Sequence, residues 1–187
     1  MRKVLQISII LFALFNLFGC LTSSNAINNP DLPTTKQLRF SKIKFEFGKE
    51  LHKPQIVYHT PAEIEKMINT KINTLLKDKN MLSSSTASNI LQINVMYVRR
   101  YIGDETFAKS DTLASPDVRY YIYIYDNQDK LLKAFGNKNF GKNDSGIFGN
   151  LGSMFGSKEE GQDKQYEAEV ANALAEQIVK DLENLIK

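Results

Sequence analysis

Cys20 is the only cysteine in the chain, so it carries the only thiol. It closes the run Leu17-Phe18-Gly19-Cys20. Arg2 and Lys3 open the chain, residues 4–18 are almost wholly apolar, and a small residue then precedes the cysteine. A charged n-region, an apolar h-region and a small residue at the cut site describe a secretory signal peptide. A transmembrane span needs about 20 apolar residues. This run is shorter and is interrupted by Gln6, Ser8 and Asn16. An ordinary signal peptide with an incidental cysteine is the other alternative.

The remaining candidates for chemistry are weak. Gly136-Asn137-Lys138-Asn139-Phe140-Gly141-Lys142-Asn143 nearly matches the phosphate-binding loop G-x-x-x-x-G-K-[ST]. Asn143 replaces the hydroxyl that would ligate Mg²⁺, and no helix is expected after Lys142. His52 and His59 are the only histidines, seven apart around Pro54. A zinc site needs three or four ligands, so these read as surface or capping residues. Asp104, Glu105 and Asp111 share a loop between strands and read as solvated acids rather than an acid–base pair. No G-x-S-x-G is present. The expectation is a non-enzymatic protein with no metal and no cofactor.

The N-terminal segment resembles the lipobox of bacterial lipoproteins. Leu17, Gly19 and Cys20 fit that pattern. Phe18 stands where the family usually has a small or β-branched residue. The resemblance implies cleavage before Cys20, a diacylglycerol thioether on its sulfur and acylation of the new N-terminus. Each buried methylene contributes about 0.8 kcal/mol, and two or more chains anchor stably. In Gram-negative bacteria an aspartate after the cysteine generally retains a lipoprotein in the inner membrane. Leu21 therefore points to the outer membrane, facing the periplasm, for a Gram-negative host.

The expected organisation is a signal peptide at 1–19, a lipidated cysteine and flexible tether at 20–37, and one domain at 38–187. The chain carries 24 basic and 21 acidic residues. Loss of Arg2 and Lys3 brings the mature chain close to neutral, which argues against a nucleic-acid partner. With Cys20 lipidated there is no thiol for a disulfide or zinc site, so the fold must rest on its core. Hydrophobic residues, 42% of the chain, permit that.

The tether is polar and carries Pro30 and Pro33. Residues 38–47 alternate as a strand, with Leu38 and Phe40, then Ile43, Phe45 and Phe47. The parity changes near Ser41-Lys42, which predicts a bulge or kink. Thr60-Pro61-Ala62-Glu63 is a capping box with proline at N1. Ile64, Met67, Ile68, Ile72, Leu75 and Leu76 continue it as a helix to about Lys79. Residues 80–89 read as a loop. Leu91, Ile93, Val95 and Tyr97 alternate as a strand, and so does 118–125. A turn at 126–129 and a returning strand at 130–140 complete a hairpin. Residues 141–161 read as a loop, and 166 to the C-terminus as a helix.

The order β-α-β-β-β-α predicts an α+β two-layer sandwich: a four-stranded, mainly antiparallel sheet with both helices on one face. The lipobox, tether and element order are similar to those of small envelope lipoproteins of the LPS-assembly accessory and ABC-transport auxiliary types, and of penicillin-binding-protein activator lipoproteins. That likeness is architectural and names no partner.

Two features suit binding. Tyr121, Tyr123 and Tyr125 alternate with Ile122 and Ile124 and would project from the face opposite the helices. They read either as a docking surface or as cross-strand aromatic packing. Residues 146–156 place Ile147, Phe148, Leu151, Met154 and Phe155 on one stripe among glycines. They read either as a membrane or partner contact or as a flap over the core. The expectation is a membrane-anchored accessory component of the envelope that binds a protein partner. The alternative is a carrier of lipid or another amphiphile.

Overall fold

The computed structural model describes residues 27–28, 36–55, 57–107, 110–140 and 162–187. The fold is α+β, a mixed sheet with two helices.

Helix α1 (Pro61–Asp78) begins as its capping box requires. Glu63 N–H donates to Thr60 Oγ1 at 3.3 Å, and Thr60 N–H donates to Glu63 Oε2 at 2.6 Å. Its first-turn N–H groups are thereby partly satisfied within the helix itself. Ile64, Ile68, Ile72 and Leu76 recur every fourth residue and are wholly buried. The helix stops at Asn80, whose φ of 52° is left-handed. Met81 N–H reaches Leu76 O at 2.8 Å and Asn80 N–H reaches Lys77 O at 3.0 Å. This is the Schellman closure, with Met81 buried next to the helix end.

The sheet holds β1 (Ile27–Asn28), β2 (Leu38–Arg39), β3 (Lys44–Phe47), β4 (Asn89–Val98), β5 (Asp117–Tyr125) and β6 (Leu131–Phe140). β4, β5 and β6 are antiparallel neighbours, with Ile93 opposite Ile122 and Ile122 opposite Phe135. β2 and β3 both run parallel to β4 along one edge. The expected four-stranded, mainly antiparallel sheet is thus mixed and has more strands. The connection from β3 to β4 contains an 18-residue helix, which makes it a crossover rather than a hairpin.

The parity change near Ser41-Lys42 is a register step. Arg39 pairs with Ile90 and Lys44 with Asn94, so the edge strand holds one more residue than β4 between those pairs. A backbone donor at the step is satisfied by the helix: Ile43 N–H donates to Asn69 Oδ1 of α1 at 3.1 Å. Leu38 N–H bonds Met81 O at 2.7 Å, and its carbonyl accepts from Ser83 N–H at 2.9 Å. On the opposite edge, β1 pairs antiparallel with β6, Ile27 against Ala134 and Asn28 against Lys133. That strand lies within the stretch expected to be tether.

Helix α2 (Gln162–Leu185) starts four residues earlier than its periodicity suggests. Val170, Leu174, Ile178 and Leu182 pack into one core with α1, with Leu91, Ile93, Val95 and Tyr97 of β4, and with Val118, Tyr120, Ile122 and Ile124 of β5. Tyr120 OH bonds Asp181 of α2, and Lys133 Nζ reaches Leu185 O at 2.7 Å. No helix among the described residues is long and apolar enough to cross a membrane. β4 and β6 end at the same pole of the sheet, where both helices begin and where the described residues of the segments 48–59 and 99–116 lie.

Candidate functional site

Alternation puts Tyr121, Tyr123 and Tyr125 on the face of β5 away from the core, all half-buried. The rings line up along the strand. Tyr121 and Tyr123 stack with centroids 6.4 Å apart at 17°, and Tyr123 and Tyr125 lie 6.3 Å apart at 32°. Their cross-strand neighbours are Asn94 and Gly136, Gln92 and Ala134, and Ile90 and Leu131. None of those neighbours is aromatic. A Cβ at Gly136 would stand 2.9 Å from Tyr121 Cδ1, so that ring lies directly over the β6 backbone. Burial, followed by the neighbouring phenols Tyr125 and Tyr121, pushes the Tyr123 pKa up. Met96 and Leu131 add exposed apolar surface to this face.

A second constellation occupies the pole where the helices begin. Arg99, 6% exposed, follows β4 on its core parity. Its Nε donates to Glu167 Oε1 at 2.7 Å, one Nη donates to Glu50 Oε1 at 3.0 Å, and the other donates to the His59 carbonyl at 2.5 Å. The guanidinium lies 5.2 Å from the Phe47 ring centroid and 5.1 Å from that of Tyr58. Burial pulls the Arg99 pKa down, but the Glu167 hydrogen bond and the Glu167 and Glu50 charges outweigh it, and the net shift is upward. Glu167 Oε2 accepts from His59 N–H at 3.0 Å and stands 3.3 Å from His59 Nδ1. Tyr101 OH donates to Glu50 at 2.7 Å, and burial, then that bond, raises the Tyr101 pKa. Burial also pushes the Tyr166 phenol up to about 12.

The histidines do not converge. His52 bonds Asp111 Oδ1 at 2.5 Å, while His59 faces Glu167. Both are partly buried; His52 bonds through its ring, and His59 through its backbone N–H. The acids of the 104–111 loop separate too. Asp104 is buried and accepts from Tyr101 N–H at 3.0 Å, Glu105 pairs with Arg100 at 2.5 Å, and Asp111 holds His52 and Gln55 N–H. The His52 hydrogen bond, then that of Gln55, holds the Asp111 carboxyl below the ordinary range. Among the described residues no three His, Cys, Asp or Glu side chains are grouped to hold a metal ion. Gly136, Asn137 and Phe140 belong to β6, a strand where a phosphate loop would need a turn. Cys20, Phe148, Leu151 and Phe155 lie outside the described residues.

A groove of about 510 Å³ beside α1 is lined by His59, Glu63, Lys66, Met67, Lys71 and Asn172, among others. It is open rather than enclosed. No family model, curated protein or solved structure matches the chain.

Sequence reasoning missed Arg99, Glu167 and Glu50. The signal for the first two was phase. Arg99 continues the odd parity of Leu91, Ile93, Val95 and Tyr97, and Glu167 lies three and four residues before buried Val170 and Ala171. A charge in step with an apolar series must be paired on burial.

Proposed function

We propose that the chain is a lipid-anchored, non-enzymatic component of a bacterial cell envelope that binds a protein partner through the helix-free face of its sheet. The observation that carries this is the stacked row Tyr121, Tyr123 and Tyr125, half-exposed on a sheet whose other face is fully committed to the core. Tyrosine offers large contact area at low entropic cost together with a polar tip. The absence of aromatic cross-strand neighbours favours docking over internal aromatic packing. The open shape of the groove beside α1 gives little support to the carrier alternative, which wants an enclosed cavity. The anchor is Cys20, on the strength of the lipobox. Leu21 places the domain on the periplasmic side of the outer membrane in a Gram-negative host.

The test is a photo-crosslinking amino acid at position 123 in the full chain, illuminated in native membranes, with metabolic fatty-acid labelling of the same samples. Discrete adducts to another protein, lost in Tyr121→Ala/Tyr125→Ala, are expected. Adducts confined to the chain itself or to lipid would overturn the docking reading. Undiminished lipid label on Cys20→Ser would overturn the anchor.

A further inference from the structure

We infer that the pole where the helices begin rests on the lipid surface, with Leu51, Val57, Ile102 and Phe107 dipping into the headgroup boundary. This inference rests on the reading that Cys20 carries the lipid. Large apolar side chains exposed among the described residues concentrate here. Leu51 is 48%, Val57 79% and Ile102 46% exposed, and Phe107 is fully exposed. Only Met96 and Leu131 lie elsewhere.

These four side chains stand on two loops that hydrogen bonds and ring contacts tie together. Asp111 accepts from His52 and Gln55 N–H through its carboxylate and from Tyr58 OH through its carbonyl. Glu50 binds both Arg99 and Tyr101, and the Tyr101 ring packs edge-on to His52 and Tyr58. Loop tips with exposed apolar side chains and a braced base are suited to shallow insertion. The tips enter without unfolding, and the polar network stays above the interface. Exposed Lys49 and Lys53 adjoin Leu51 and can keep their ammonium groups among anionic headgroups while their stems follow the apolar side chains.

Strand direction supplies an independent argument for the occupant. β1 runs antiparallel to β6, and β6 runs toward this pole. Ile27 is therefore the end of β1 nearer the same pole. From Ala134, the partner of Ile27, to Phe140 is six residues, about 20 Å of strand. Cys20 precedes Ile27 by seven residues, which extend to at most about 25 Å. A lipid on Cys20 can thus lie level with Phe107 and cannot reach far beyond the pole. In that orientation the strands stand upright on the membrane, and the tyrosine face is turned sideways, open to a partner.

The test uses the full lipidated chain, in which the Cys20 sulfur is blocked as a thioether and a new cysteine can be labelled alone. Phe107→Cys, Leu51→Cys and Gln128→Cys each receive an environment-sensitive fluorophore. Gln128 is exposed in the β5–β6 turn at the opposite pole. Each protein is reconstituted into phosphatidylethanolamine–phosphatidylglycerol vesicles containing spin-labelled lipid, and flotation and fluorescence are read together. Quenching at 107 and 51 should exceed that at 128 several-fold, with a blue shift, as expected for insertion about 5–10 Å deep. Floating protein with equal or absent quenching at all three positions overturns the inference and leaves the anchor standing. A label at 107 that is shielded in native envelope membranes but stays in water on vesicles also overturns it, since the pole then faces a protein. A chain without acyl mass on Cys20 that does not float overturns the anchor and the inference with it.

Discussion

Arg99 and Glu167, 68 positions apart in sequence, meet at 2.7 Å between the end of β4 and the first turns of α2. Both are almost fully buried. Breaking such a pair by removing one partner leaves an uncompensated buried charge, at a cost of about 3–5 kcal/mol. Replacing both with apolar groups is often close to neutral. Arg99→Met and Glu167→Leu should each lower the urea midpoint strongly. The double variant should recover much of the loss, short of full recovery because the His59 carbonyl loses this donor and Glu50 one of its two. Simple addition of the two losses would mean that the side chains act independently.

Thr60 is a structural cap. Thr60→Ala removes the acceptor for Glu63 N–H and half of the reciprocal pair, and should cost about 1 kcal/mol. Thr60→Ser should retain nearly all of it. Urea midpoints of the three proteins measure this, and an unmoved midpoint in Thr60→Ala would show that the helix does not depend on its box.

The acid limb of stability should depend on Asp111. Its folded pKa lies below the ordinary value of 3.8, first through the His52 hydrogen bond and then through Gln55 N–H. A depressed carboxylate pKa contributes stability that is fully present above the unfolded pKa. That stability is lost as pH falls through the folded value. Midpoints recorded between neutral pH and pH 3 should therefore fall more steeply in the wild-type protein than in Asp111→Asn. Parallel curves would show that the clip holding the two polar loops contributes nothing to linkage. Glu63, also lowered by its bonds from Thr60, is common to both proteins and cancels in the comparison.

The elements that sequence reveals best here are those with a local cause. The α1 start is written in Thr60 and Glu63, the hairpin in the alternation on both sides of residues 126–129, and the edge-strand step in the parity of Phe40 and Ile43. Periodicity reports faces and not directions, so the parallel pairing of β3 with β4 could not be read from Phe45 and Phe47. A two-residue strand such as Ile27–Asn28 has no period at all, and it becomes a strand only because β6 offers an edge. The tyrosine row was legible because it shares its alternation with the core. The Arg99 cluster was not, because its partners come from three separate segments and only its phase betrays it.

Gly136 tests whether the tyrosine row is a built surface. Strand glycine ordinarily costs about 0.5–1 kcal/mol relative to alanine, so Gly136→Ala alone would be expected to stabilise β6. Here the new Cβ would stand 2.9 Å from Tyr121 Cδ1 and 3.0 Å from Cε1, within the ring body, and Tyr121 must swing away from its stack on Tyr123. Gly136→Ala should therefore be neutral or destabilising in the wild-type background and stabilising in Tyr121→Ala, where the obstructing ring is gone. The sign change is the measurement: thermal midpoints of the four proteins of the cycle give a coupling that neither residue shows alone. The same substitution should weaken crosslinking from position 123, because the row loses its end ring. Equal effects of Gly136→Ala in both backgrounds would show that the ring does not rest on the glycine, and the tyrosines would then be three independent side chains.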